Sequence, residues 1–443
     1  MNVVKDYIDF QSNSVSPFHV LEFVQKFLSS HGFSVLSLCD DNWVLEKGSS
    51  YIVCHPDGKG AVCFSLGDKS PSCAGYSIVG SHIDSPAFRL KSKPFYNREK
   101  TLCLLPQVHG SMIYRSWLDR PLELAGRVYS LKKNRSSLLF SKDSYLPQVD
   151  VRLVRSNSAT AIIPDIAIHL DPKKNSKGGI NPEEFLKLAI SSGVEENISL
   201  HDFFKKTFKV GDNVDGFEIY CAPVWPHLVG GIDNSYIIGP RHDDLAMVFT
   251  SVKALASCAQ KDRNKTSVVC LLDAEETGSQ TCSGAGSSFV RDVLTRVASD
   301  YPKTSSYHFH PSVALSKSFF ISADMAHAIH PGECLKHDVN HRPIINKGIV
   351  IKENANDRYA SSGYTSTIVK AYCQAAKVPY QEYICRQDMG CGSTIGPILS
   401  SSLGCRSVDI GLSMWSMHSS AETMGTKDLS YAVDFFSSVF LSE

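Results

Sequence analysis

Three acids stand within four residues at Asp273-Ala274-Glu275-Glu276, directly after the apolar run Val268-Val269-Cys270-Leu271-Leu272 and just before Thr277-Gly278. A short apolar run stopped by turn residues reads as a buried strand. Adjacent carboxylates at its end resist joint ionisation. A divalent metal would compensate them, with one Glu as ligand and the other free to move protons. On this stretch alone, a solvated acidic turn is the competing reading.

Ligands of open α/β sheets bind beyond the carboxyl ends of strands, so the residues just past each apolar run are informative. His82 and Asp84 come after the run 76–80, and Arg241-His242-Asp243-Asp244 precede a helical run from Leu245. Asp324, His327 and His330 come after 319–322, and His418 after 408–411 through Ser413-Met414-Trp415-Ser416-Met417. Each has an ordinary structural reading: Asp243 as a helix N-cap, His82 as a hydrogen-bonded core histidine, Asp324 as a strand end, His418 as an exposed side chain. Taken together, His82, Asp243, Glu276, Asp324 and His418 suit a pair of divalent ions, zinc first, with manganese or cobalt as alternatives. Two such ions ~3.5–4 Å apart need a bridging carboxylate and a bridging hydroxide. Three carboxylate ligands and one hydroxide balance their charge. Glu275 is then the extra acid, placed to take the proton of that water, and Asp84 is placed to orient the His82 ring through its second nitrogen.

The elements that must hold these residues alternate. Helical spacing begins at Ser16-Pro17, with Gly32 as a stop, and strand-like runs occur at 43–45, 51–54, 61–66 and 76–80. From about Lys91 to Ile237 strand-like runs dominate (102–105, 122–128, 137–140, 151–154, 161–163), apart from a helical patch near 182–190. Alternation returns from Ile238: helices at 245–255, 287–297, 365–376, 393–399 and 429–441, and strands at 267–272, 318–322, 349–352, 382–386 and 407–411. This is an α/β architecture, a mostly parallel sheet flanked by helices, with a β-rich insertion. The 443 residues exceed a usual single core. Lys+Arg and Asp+Glu are equal at 45 each, so no global charge points to nucleic acid or membrane. The start lacks the pattern of a signal peptide, and no apolar run reaches the ~18 residues of a membrane span. The 14 cysteines are scattered and never spaced Cys-x-x-Cys, which points to reduced cytoplasmic thiols.

The chain resembles the aspartyl aminopeptidase family of dinuclear zinc metallopeptidases nearly end to end. The resemblance is carried by Ser16-Pro17-Phe18-His19, Gly80-Ser81-His82-Ile83-Asp84-Ser85-Pro86, Trp117-Leu118-Asp119-Arg120, Ala167-Ile168-His169-Leu170 and Asp273-Ala274-Glu275-Glu276-Thr277-Gly278-Ser279. It continues through Ile321–Pro331, Asn340-His341-Arg342-Pro343, Cys391–Pro397 and Met417-His418-Ser419. The resemblance implies that His82, Asp243 and Asp324 hold one ion and Asp243, Glu276 and His418 the other, with Asp243 bridging. It implies Glu275 as general base acting on a metal-bridging hydroxide, and Lys352 as the reader of an acidic side chain. His327, Tyr359, His330 and His341 match further active-site or assembly positions, and His169 a residue that reaches a neighbouring subunit's site. The implied activity is removal of N-terminal Asp or Glu from peptides. The implied domains are a zinc-peptidase-like catalytic domain at 1–90 and 237–443 and a β-rich dimerisation domain at 91–236. The implied assembly is a dodecamer built from dimers. Departures from the family pattern fall at Asp244, Ala274, His109-Gly110-Ser111 and Met389-Gly390. A broad-specificity dinuclear aminopeptidase keeps every ligand, and an assembly protein on a peptidase fold is the reading from another class.

Overall fold

The computed structural model describes residues 2–131, 148–176, 178–196, 198–211, 214–302 and 310–442. The strand expected at 137–140 lies outside them. The chain forms two compact units. The first is Met1–Ser85 with His227–Met417 and Ala421–Glu443; the second is Pro86–Pro226 with His418–Ser420.

The first unit is built on a nine-stranded sheet in the order Phe33–Leu36, Ser50–Cys54, Ala61–Ser65, Thr266–Leu272, Tyr76–His82, Phe319–Ala323, Arg406–Gly411, Ile349–Glu353, Tyr380–Ile384. The four strands from Thr266–Leu272 to Arg406–Gly411 run parallel to one another. Thr266–Leu272 and Tyr76–His82 are buried at every residue, which is why they read as continuous apolar runs rather than alternating ones. One face is covered by His242–Cys258, Pro17–Ser30 and Thr426–Phe440, the other by Phe289–Asp300 and Ile395–Leu403. His242–Cys258 is apolar nearly all round because the sheet and its neighbouring helices enclose it. Pro17 starts its helix at the first turn, and Gly32, at φ +86°, ends it. A second sheet of this unit joins Leu228–Gly230, Tyr236–Gly239, Glu422–Gly425, Ser413–Trp415 and Ala326–His327. Pairing of Leu228–Gly230 with Tyr236–Gly239 draws the chain from His227 onward into the first unit, ten residues earlier than the boundary at 237 read from the sequence.

The second unit carries a six-stranded sheet, Val149–Arg155, Leu122–Leu131, Gly216–Pro223, Ala87–Arg98, Thr101–His109, Leu188–Ser192, with antiparallel pairings throughout. Helix Leu200–Phe208, capped by the Ser199 side chain on the Asp202 N–H, buries Phe203, Phe204 and Phe208 in that unit's core.

Two local expectations are corrected. Residues 43–45 form no strand: Trp43 is buried in irregular chain, its indole N–H bonded to the Ser37 carbonyl at 2.8 Å and its ring under Arg296. The helix near 182–190 stops at Phe185, because Leu188–Ser192 finds a partner in Thr101–His109, and strand pairing overrides the local helical pattern.

Candidate metal centre

The parallel pairing of Tyr76–His82 with Thr266–Leu272 sets Leu272 opposite His82. The Asp273–Glu276 turn therefore leaves the sheet beside the histidine. Ala274 there adopts φ +62°, a left-handed conformation that costs a non-glycine residue about 1 kcal/mol, and its carbonyl accepts the Ser279 N–H at 2.7 Å. The next strand, Phe319–Ala323, delivers Asp324 to the same rim. Arg241 at φ +61° turns the chain into helix His242–Cys258, where Asp243 and Asp244 are still non-helical and joined by a cis peptide.

His82 sits at the middle of this group and is buried. Its Nε2 faces Asp243 Oδ1 at 3.5 Å and Asp324 Oδ2 at 3.9 Å. Its Nδ1 lies 3.0 Å from the Asp84 carbonyl and 3.5 Å from Asp84 Oδ1. Asp84 accepts the N–H groups of Glu275 and Glu276 at 3.1 and 3.3 Å. The His82 N–H donates to Asp244 Oδ2 at 3.1 Å, Ser85 Oγ donates to the Asp243 carbonyl at 2.8 Å, and the Asp243 N–H donates to Glu422 at 3.1 Å. One ligand atom each from His82, Glu275 and Glu276 lies within 4.8 Å of the others, as does one each from His82, Asp243 and Asp244.

Charge is concentrated here. Burial pushes the Glu275 carboxyl up to about 7; His82 opposes this, and Asp324, Asp243 and Asp84 reinforce it. Burial and then Asp243 hold Glu276 well above the carboxylate range. Asp244 is raised by burial, partly offset by His82, and raised again by Asp324 and Asp243. Burial would lower the His82 pKa, but Asp243 and Asp84 outweigh it and hold it well above the ordinary imidazole value. Among the described residues, Asp244 Oδ1 is buried with no hydrogen-bond partner. Crowded acids that burial and one another drive toward protonation, around one imidazole, are an oxygen-and-nitrogen donor set suited to divalent cations.

Lys352 is buried, 2% exposed. Its ammonium donates to Asp324 Oδ1 at 3.2 Å and the Met325 carbonyl at 3.1 Å, and lies 5.2 Å from the centre of the Tyr359 ring. Burial would lower its pKa, yet Asp324 and Asp409 raise it above the usual lysine value. His327 is exposed in strand Ala326–His327, its ring 6.0 Å from that of Tyr383. His341 bonds Asp338 at 2.7 Å, and His330 receives no place in the cluster: its N–H donates to His337. His418, at φ +68°, groups with the second unit, where its carbonyl accepts the Ile113 N–H at 3.1 Å. His169 lies in an exposed turn of that unit. Sequence reasoning passed over Asp409 and Glu422. Asp409 is fully buried, bonded to Thr394 Oγ1 and to the Ala360 N–H, both at 2.6 Å, and pairs with Lys352 across the sheet. An acid inside the apolar run Val408-Asp409-Ile410 was the available signal.

A sheet with a parallel centre whose strand ends gather a histidine and buried carboxylates fits a metal-dependent hydrolase of the α/β class. The family model described as "Aminopeptidase I zinc metalloprotease (M18)" matches residues 10–440, and the chain belongs to this family. It is a metalloaminopeptidase. A probable aspartyl aminopeptidase of Ricinus communis is 32% identical over 99% of this chain and 95% of its own length. Aspartyl aminopeptidase 1 of Schizosaccharomyces pombe is 35% identical over 98% of this chain and 94% of its own. Among solved structures, a chain of the Ape4 and Nbr1 complex superposes with a TM-score of 0.90 at 33% identity, covering 99% of this chain and 85% of that one. The mApe1 dodecamer of S. cerevesiae shares the fold, with a TM-score of 0.84 at 24% identity over 99% of this chain and 96% of that one.

Proposed function

We propose that this aminopeptidase removes N-terminal Asp or Glu from peptides, with two divalent ions, zinc first and manganese or cobalt as alternatives. His82, Asp243, Glu276, Asp324 and His418 would hold them. Bound ions would polarise the scissile carbonyl and make water more acidic. Glu275 takes the proton of the attacking water and returns it to the leaving amine. Asp84 orients the His82 ring and holds the backbone of both glutamates.

The observation that carries the acidic preference is the Lys352 ammonium, fixed beside Asp324 at 3.2 Å. A carboxylate on the first residue of the peptide would pair with it, and a neutral side chain would leave that pairing unmade. Tyr359 and His327 line the approach to this subsite in the same reading. The names of the curated relatives support it too.

The second unit serves dimerisation, and the dimers build a dodecamer in which His169 reaches a neighbouring copy. Exposed Ile166, Ile168 and Leu170 around His169 support such a contact. The chain is assigned to the cytoplasm. Its cysteines are free thiols, and among the described residues no helix is long and apolar enough to cross a membrane.

The test is hydrolysis of Asp-, Glu-, Leu- and Ala-leading peptides, with and without chelator and with Zn²⁺, Mn²⁺ or Co²⁺ restored. The expected result is chelator-sensitive cleavage with acidic residues favoured at least about tenfold. Preference for Leu or Ala would make this a broad-specificity enzyme and sink the role given to Lys352.

A further inference from the structure

A second group of ligand-type side chains lies apart from the residues above. The turn between Ser50–Cys54 and Ala61–Ser65 is closed by the His55 N–H on the Gly60 carbonyl, 2.9 Å, and the Gly58 N–H on the His55 carbonyl, 2.8 Å. This turn puts His55 Nδ1 2.7 Å from Asp57 Oδ1. From the far side of the chain, Cys282 Sγ reaches Asp57 Oδ2 at 3.1 Å and Ser283 Oγ reaches the same oxygen at 3.2 Å. The Lys59 N–H also donates to Asp57 Oδ1, at 2.9 Å. The His55 ring stands edge-on against Phe289, centroids 5.0 Å apart, which fixes its plane.

We propose that His55, Asp57 and Cys282 form a further binding site for a thiophilic divalent cation of the zinc type. One nitrogen, one oxygen and one sulfur, all within 4.8 Å of one another, are the ligand types and spacing that such an ion takes. Three protein ligands leave one tetrahedral position for water. Cys282 is exposed and His55 and Asp57 are half-buried, so the ion has an entry path. Binding balances simply: the Cys282 thiol releases its proton to solvent, neutral His55 supplies a ring lone pair, and the Asp57 carboxylate stays charged.

The site has a structural consequence. Cys282 belongs to the loop that leaves Thr266–Leu272 with Glu275 and Glu276, and the Asp273 N–H donates to the Ser283 carbonyl at 3.4 Å. An ion between Cys282 and the 54–61 turn clasps that loop to the turn between two neighbouring strands of the sheet. It should raise the melting temperature without entering the reaction.

The experiment titrates the metal-loaded enzyme with Cd²⁺ and with Zn²⁺. Bound metal per chain is measured by elemental analysis, thiolate-to-Cd²⁺ charge transfer by ultraviolet absorption, and Tm by calorimetry. Wild type should bind one ion per chain more than Cys282→Ser, and the difference should carry the charge-transfer band. His55→Gln should weaken this binding at least about tenfold. Peptide hydrolysis in Cys282→Ser should match wild type, which also shows that the variant folds. Equal metal content and an equal band in wild type and Cys282→Ser would assign the thiophilic ion to other cysteines and overturn the proposal.

Discussion

The Asp84 carboxylate accepts the backbone N–H of Glu275 at 3.1 Å, across a gap of 191 residues in sequence. Its other oxygen takes the Glu276 N–H at 3.3 Å, and its carbonyl meets His82 Nδ1 at 3.0 Å. One residue thus sets an imidazole and two carboxylates. Asp84→Asn puts an NH₂ against one of those N–H groups. Metal affinity or kcat/KM should fall about 10–100-fold with the fold retained, as elemental analysis and peptide kinetics would read.

Glu275→Gln removes the proton acceptor while keeping the size of the side chain and the backbone bond to Asp84. The expected outcome is a fall of about 10²–10⁴-fold in kcat with bound metal unchanged. Near-wild-type turnover of an Asp-leading peptide would show that another group takes the proton.

Lys352→Ala leaves Asp324 and Asp409 buried without the ammonium that now lies between them. Metal-free protein should lose about 3–5 kcal/mol, measured by denaturant unfolding. With metal restored, Asp- and Glu-leading peptides should lose more than Leu-leading ones. Equal losses across the panel would count against a reading role for this lysine.

Gly411 has no room for a side chain: a Cβ there would stand 2.0 Å from the Asp324 carbonyl oxygen. Gly411→Ala should cost about 1–3 kcal/mol and displace Asp324. A lowered Tm together with reduced metal content is expected. A lower Tm with full metal content would separate the backbone contact from the site.

Burial, with Arg241 adding to it, lowers the His227 pKa from 6.5 to about 3. Its Nε2 bonds the Pro240 carbonyl at 2.8 Å. Between those values the unfolded chain binds about one more proton than the folded one. The contribution of His227 is therefore intact above about pH 6.5 and is lost as pH falls toward 3, by up to about 1.4 kcal/mol per pH unit. The raised pKa values of Glu275 and Glu276 act in the opposite sense. In denaturant unfolding at pH 7, 6 and 5, with chelator throughout, the slope should therefore appear as the difference between wild type and His227→Gln, which can keep a donor toward Pro240.

Much of the candidate site was legible because strand-end chemistry is local. A buried strand is mostly an apolar run, and a polar residue directly after it lies at the sheet rim; Asp409, buried inside Arg406–Gly411, is the exception. That logic picked out His82, Asp243, Glu275, Glu276 and Asp324 as candidates from spacing and residue type, and the fold gathers them at one rim. Trp43 misled it, because an indole buried in irregular chain has the same composition as a strand. The 182–190 patch misled it because the partner of Leu188–Ser192 is Thr101–His109, remote in sequence.

By itself the sequence determined the alternating architecture, the side-chain types at each rim and the family, since these rest on periodicity and contiguous motifs. Only the tertiary structure decided which groups touch. Lys352 against Asp324 and Asp409, Asp84 beneath Glu275 and Glu276, and Cys282 on Asp57 depend on strand order and register. Those are set by packing the whole sheet between its helices, and short-range spacing carries no record of them.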